Sequence, residues 1–480
     1  AFVDAHVHAT ATGLHLSGID LTSVRNAAEL LDKVRAGAAT VRPGDVLLAH
    51  GWDQTRWTQQ RMPSRAEIDA VAEAVPIYLS RVDVHSALVS SALVDLAPEA
   101  QAADGWSADG PVSATAHHHL RRAARAAITP EQRRRAQQHF LAAAAAAGIA
   151  SVHECAGPDI SGEDDLADLR RFAGRPDAPE VVAYWGQLAS TDDSAIDLAR
   201  RLGVRGLAGD LFVDGALGSR TAALAEPYAD DPAASGNRYL DADEIAGHIA
   251  ACTTAGVQAG FHVIGDAAVA EVVEGLRRAE ELVGQRAIAG GRHRLEHVEM
   301  IDAEQAAALA RWNVSASVQP AFDALWGGTD GMYAARLGGD RALGLNPLSM
   351  LAAHGVLVAG GSDAPVTPLD PWASVRAAAH HRTPGASLSA RAAFNAHTRG
   401  GHRAAGVLDG VSGTLVPGAP AHYAVWDAGD LVVAAPDSRV QRWSTDPRSR
   451  VPPLPSLVPG VALPRCLRTV RAGVTIFSGR

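Results

Sequence analysis

The stretch FVDAHVH, Phe2 to His8, decides how the chain is read. Phe2 to Ala5 is a short apolar run that reads as a buried strand, and it closes on two histidines one residue apart. Side chains alternate along a strand, so His6 and His8 project to the same side. An isolated H-x-H is a weak metal signal. What matters is whether other segments end in the ligands that would complete a site.

Working outward, short apolar runs that end in polar residues recur along the chain. Strands are predicted at Phe2–Ala5, Ile149–His153, Val181–Tyr184, Leu211–Val213, Gln258–Val263, Arg294–His297, Val314–Val318 and Val356–Gly360. Between them lie helical patterns such as Pro130–Ala147, Asp241–Ala255, Ala267–Val283 and Ala303–Arg311. Strand–helix alternation repeated in this way predicts an α/β fold, a distorted (β/α)8 TIM barrel. The spacing breaks once, between the first two strands, where a structureless loop of such length is implausible. An inserted lid subdomain is therefore expected over 11–129, with the barrel in 1–10 and 130–405. Beyond a helical pattern at Arg391–Ala405, Pro/Gly turns and short Val-rich strands predict a small C-terminal β module, a partial β-sandwich, over 406–480.

Composition narrows the function classes. The 480 residues are 47% hydrophobic and 20% charged, which suits a large globular core. A net charge of −10 is dispersed, and the basic run Arg133-Arg134-Arg135 falls in a helical pattern, so neither nucleic acid nor a membrane surface is an expected partner. The three isolated cysteines, Cys155, Cys252 and Cys466, argue for a reducing compartment. With no export signal visible ahead of His6, a cytoplasmic location is expected. The three consecutive histidines His117–His119 cannot share one face of a helix or strand and read as a surface helix start.

Barrel enzymes carry their chemistry at the C-terminal ends of the strands. The first strand ends in His6 and His8, the fifth in His262, the sixth in His297, and the eighth, GVLVAGGSDAPV, in Asp363. Imidazoles and a carboxylate suit zinc and similar divalent ions and leave positions open for water and substrate.

The segments FVDAHVH, HGWDQ, RVDVHSALV, LFVDGALGSRTAAL, FHVIGDAA, HRLEHVEM, SVQPAF, GSDAPVTPLDPW and GTLVPGAPA together resemble the amidohydrolase superfamily. More narrowly they resemble its amidohydrolase-3, or YtcJ-like, branch, which includes N-substituted formamide deformylases. The resemblance spans nearly the whole chain. It implies one or two divalent metal ions, zinc first, and hydrolysis of an amide-type C–N bond in a linear or cyclic amide, N-substituted formamide or N-acyl compound. It implies His6 and His8 on the more buried metal, His262 and His297 on the second, and Asp363 as ligand and base. Asp363 and His297 are then the catalytic candidates.

Two departures stand out. The family pattern has a lysine four residues before the Asp-Gly of DGALGSR, where its carboxylated side chain bridges two metals; here that position is Asp210. The shorter side chain requires a closer strand, a single metal or a bridging water. Asp214, on the same strand face by alternation, is a second candidate carboxylate, expected behind the ligands. The family also carries β structure ahead of the equivalent of FVDAHVH, so either the numbering starts after a truncation or the C-terminal strands form a partial sheet with an exposed edge. His85 and Asp83, matching the family's Asp-x-His, are candidate substrate-binding residues, together with Arg220, Gln319 and Trp52, and Asp4 is expected to support the histidines from behind. The expected partner is a small-molecule amide-type substrate, and a homodimer is a compatible assembly. Deamination or ester hydrolysis on the same scaffold, and a non-catalytic metal-binding barrel, are the alternatives.

Overall fold

The computed structural model describes residues 1–59, 61–72, 74–82, 86–432 and 453–479. The chain divides into two compact units, one formed by 1–8 and 141–480, the other by 9–140.

The first unit is the barrel. Eight strands pair in parallel in chain order: β1 (Phe2–Val7), β2 (Ile149–Ala156), β3 (Glu180–Trp185), β4 (Gly206–Leu207), β5 (Gln258–Val263), β6 (Arg294–His297), β7 (Ser315–Val318) and β8 (Val358–Gly360). β1, β2, β5, β6, β7 and β8 are buried along their whole length, as a sheet covered by helices requires. The ring closes just past the end of β8: Asp363 N donates to His6 O at 2.8 Å and His8 N to Ala364 O at 3.0 Å. The covering helices carry strong start signals. Asp241 and Asp302 cap the helices Ala242–Ala255 and Ala303–Arg311, each with its own backbone N donating in return to the side chain of Glu244 or Gln305.

Two elements differ from the sequence reading. The fourth strand is Gly206–Leu207 and not Leu211–Val213, because Gly209 at φ 80° turns the chain and Leu211 N bonds back to Gly209 O at 2.8 Å. Phe212 regains only a single bridge, to His262. The unit boundary also falls at 140/141 rather than near 130. The helix Pro130–Ala146 starts against the inserted segment: Gln132 exchanges two hydrogen bonds with the Val46 backbone (2.7 and 3.1 Å), and Arg135 pairs with Asp45.

The C-terminal segment forms an antiparallel three-stranded sheet, with Arg465–Arg471 central between Tyr423–Asp427 and Val474–Ser478. A two-strand ladder pairs Leu431–Val432 with Leu454–Pro455. The three-stranded sheet joins the barrel through aromatic edges. Phe2 of β1 lies 5.1 Å from Trp372, 5.5 Å from Phe394 and 5.6 Å from Trp426, ring centre to ring centre.

The 9–140 unit is built on a five-stranded mixed sheet, in the order Ile19–Asp20, Leu47–Trp52, Ile77–Arg81, Ser86–Val89, Val112–Ser113. Its core includes Leu21, Leu30, Val34, Trp52, Ile68 and Leu79. His117 is not a surface residue: it lies in the helix Ala114–Ala126, buried, with its Nε2 2.7 Å from Tyr78 Oη. Among the described residues no helix is long and apolar enough to cross a membrane.

Candidate metal centre

The strand ends bring five of the six expected ligands into one buried cluster. His6 Nε2 lies 3.3 Å from Asp210 Oδ1 and 3.5 Å from Asp363 Oδ1. His8 Nε2 lies 3.3 Å from Asp210 Oδ2 and 3.1 Å from Asp363 Oδ1. Two ligand trios result, His6/His8/Asp363 and His6/Asp210/His297, each with donor atoms within 4.8 Å of one another. His262 stands beside them, its ring 4.5 Å from that of His297 and its Nδ1 3.7 Å from Asp214 Oδ1.

Asp210 reaches both histidines because its backbone comes close. An ideal Cβ on Gly209 would lie 2.9 Å from Cys155 Cβ, and one on Gly186 would lie 2.5 Å from Asp210 O. Glycine at both positions allows a contact that a side chain would block. His297 and Asp363 are held differently, at φ 70° and 54°. That left-handed region costs a non-glycine residue about 1–2 kcal/mol. At His297 it breaks the strand alternation and leaves the ring 5.0 Å from that of His6.

The electrostatics follow from burial and opposed charge. Burial alone would lower the His6 and His8 imidazoles. For His6 the neighbours Cys155, Asp210 and Asp363 outweigh it, for His8 Asp210 and Asp363 do, and both sit well above the usual histidine value. Burial likewise works to raise Asp210 and Asp363, and the histidines hold both below the usual carboxylate range. His297 is driven down to about 3 by burial and then by His262 and His6. An arrangement that favours protons between imidazoles and carboxylates equally favours a divalent cation there.

The donor set fits such a cation. Asp210 Oδ1, Asp363 Oδ1 and, 3.3 and 3.5 Å from them, His6 Nε2 are buried polar atoms with no hydrogen bond of normal geometry among the described residues. Buried polar atoms are otherwise nearly always paired, so a group of orphans facing one another marks a ligand position. Neutral imidazole and carboxylate donors are the set that zinc and similar ions prefer.

The other expected residues fall in varied places. Asp4 Oδ1 accepts from Ser362 N at 2.8 Å and His6 N at 3.3 Å, tying β1 to the loop that carries Asp363. Asp214 is fully buried and accepts from Ala223 N, Ile264 N and Gly265 N at 2.8–3.0 Å, so its oxygens are taken up by backbone donors. Gln319 is buried, and its Oε1 accepts from His297 Nδ1 at 2.7 Å, which directs Nε2 of that ring to the cluster. Arg220 lies on an exposed turn paired with Asp230. Trp52 was expected in a binding pocket and is instead core: it is fully buried in the 9–140 unit, and its Nε1 donates to Leu79 O at 2.8 Å. Asp83 and His85 lie outside the described residues.

Three groups beside the cluster escaped the sequence reading. Glu296 Oε2 accepts from His6 Nδ1 at 2.9 Å, Arg294 grips Glu296, and Cys155 sits within 4.8 Å of His6 and Glu296. The signal was present in RLEH, where opposite charges two residues apart share one face of a buried strand.

A sequence model of the amidohydrolase family matches residues 1–477. The chain belongs to the amidohydrolase family. Membership makes it a hydrolase of the amidohydrolase superfamily. Among curated proteins it is 25% identical over 405 residues to the putative amidohydrolase YtcJ of Bacillus subtilis, covering 78% of this chain and 72% of that one. It is 27% identical over 475 residues to the protein LONG AFTER FAR-RED 3 of Arabidopsis thaliana, covering 90% and 79%. Among solved structures it superposes with a TM-score of 0.72 on an uncharacterized metal-dependent hydrolase from Pyrococcus furiosus, at 26% identity and covering 88% and 85% of the two chains.

Proposed function

We propose that this chain is a metal-dependent amidohydrolase that cleaves a carbon–nitrogen bond, other than a peptide bond, in a small amide-type molecule. The observation that carries the reading is the pair of buried carboxylates, Asp210 and Asp363, facing the imidazoles of His6 and His8 at 3.1–3.5 Å, with Asp210 Oδ1, Asp363 Oδ1 and His6 Nε2 making no hydrogen bond of normal geometry among the described residues. Family membership and the likeness to a metal-dependent hydrolase of known structure support it.

His6, His8, Asp210 and Asp363 would hold a divalent cation, with zinc the first choice, and His262 and His297 would complete the site for a second. When bound, such an ion polarises an amide carbonyl and acidifies a water. Asp363 is the base in this reading: its carboxylate lies in the cluster, takes the proton of the attacking water and returns it to the departing nitrogen. Its left-handed backbone, with the Asp4 bond to Ser362 N, holds the carboxylate in place. Gln319 keeps His297 in one tautomer, with Nδ1 occupied and Nε2 turned to the cluster. Burial, with His262 and His6 alongside, keeps His297 neutral.

Metal analysis of the purified protein, paired with a screen of N-formyl amines, N-acyl amino acids, cyclic ureides and small esters, tests the reading. At least one divalent ion per chain and turnover of an amide-type compound are expected. Asp363→Asn should abolish that turnover. A protein that takes up no divalent ion, or an Asp363→Asn variant that still hydrolyses, would overturn it.

A further inference from the structure

Barrel interiors are normally filled by branched apolar side chains. This one places a fully buried ion pair, Arg294 with Glu296, directly beneath the cluster. A buried pair seldom adds stability over apolar packing, so its use calls for a specific task. The hydrogen bonds identify one. Arg294 Nε donates to Glu296 Oε1 at 2.6 Å and Nη2 to Oε2 at 2.8 Å, and Oε2 accepts from His6 Nδ1 at 2.9 Å.

We propose that Arg294 and Glu296 form a positioning unit that fixes the tautomer and direction of the His6 ring, so that Nε2 alone faces Asp210 and Asp363. The inference rests on the metal-centre reading above. The unit holds His6 at two points. Through Glu296 it grips the ring, and through Arg294 Nη2, which also donates to Ala5 O at 2.8 Å, it grips the peptide just before His6. The guanidinium is also anchored from strands that do not pair with β6. Nη1 donates to His153 Nδ1 at 3.0 Å on β2, and the plane lies 4.3 Å from the centre of the Tyr184 ring on β3. Ser317 Oγ on β7 adds a bond to Ala5 O at 3.3 Å. A glutamate without the arginine would swing or bind the cation itself, whereas the two-pronged grip leaves Glu296 only the His6 side on which to act. Neither residue touches the substrate; both act through His6.

The test uses the whole chain and zinc alone as probe. Zinc affinity is measured by competition with a chromophoric chelator for the wild type, Glu296→Gln and Arg294→Lys, and the visible spectrum is recorded after cobalt(II) loading. Glu296→Gln should bind zinc 10–100-fold more weakly, the usual effect of removing such a partner, with a shifted cobalt band. Arg294→Lys keeps the charge but loses the fork, and should weaken binding in the same direction; it carries the test should Glu296→Gln fail to fold. A merely structural pair would lower the unfolding temperature and leave affinity and spectrum unchanged. That result in a wild-type protein that binds zinc overturns the positioning role alone. Failure of the wild type to bind overturns the metal centre itself.

Discussion

Exchanging Gly186 for alanine isolates the close approach that lets a short aspartate serve the cluster. Gly186 directly follows β3, and an ideal Cβ there meets Asp210 O at 2.5 Å, Asp210 C at 2.6 Å and Leu211 N at 2.8 Å. All three obstacles are backbone, so no side-chain rotation relieves them. Restoring an ordinary contact of 3.4 Å to the nearest atom moves the Asp210 peptide by about 0.9 Å. Ligand distances at metal sites tolerate roughly 0.2 Å, several-fold less than this shift. Because Asp210 meets His6 and His8 through different oxygens at 3.3 Å each, no single rotation keeps both contacts. We expect Gly186→Ala to bind zinc on the order of 10–100-fold more weakly. Forcing a methyl into packed backbone should also destabilise the metal-free protein by ~1–3 kcal/mol. Chelator competition reads the first effect and urea unfolding of chelator-treated protein the second. A Gly186→Ala protein with wild-type zinc affinity would refute the argument that this glycine positions Asp210.

Three further outcomes follow from the same structure. Gly247, inside the helix Ala242–Ala255 with open space where a Cβ would stand, should accept alanine with a gain of about 0.5–1 kcal/mol in urea unfolding and no change in zinc affinity. Asp214→Asn places an amide opposite three backbone donors in a fully buried site and should destabilise the protein by roughly 2–3 kcal/mol; an unchanged urea midpoint would contradict that account. His248 and His397 are held down to about 4 by burial, against an ordinary value of 6.5. The unfolded chain binds protons at these positions near pH 6.5 and the folded chain only near 4, so stability should fall as pH drops through that window. Urea midpoints at pH 7 and 5 measure the slope, and His248→Asn should flatten it.

Much of the barrel was legible because buried parallel strands write themselves as apolar runs, and because the cluster residues sit where those runs stop. His6, His8, His297 and Asp363 are legible in that sense. The fourth strand was misplaced because LFV is the more apolar run, while the feature that decides the matter, a positive φ at Gly209, leaves no trace in hydrophobic pattern. Trp52 was named as a candidate pocket residue although a tryptophan beside polar residues reads as readily as core; its full burial among apolar neighbours and its bond to Leu79 O place it in the core. Arg294 and Glu296 were overlooked for the opposite reason. Charged residues ordinarily signal solvent, and although RLEH sets opposite charges on one strand face, nothing local announces that their partner is His6, some 290 positions away.

The closure of the ring has a consequence for how the protein matures. His6 and His8 sit on the first strand and Asp363 just past the last, and the bonds that join them are the bonds that close the barrel. Contacts so distant in sequence form late, because the entropy of closing the intervening loop must be met first. A chain emerging from the ribosome presents its two histidines long before the aspartate that completes their set. A cation held jointly by these residues would meet its full donor set only in a chain whose barrel has closed.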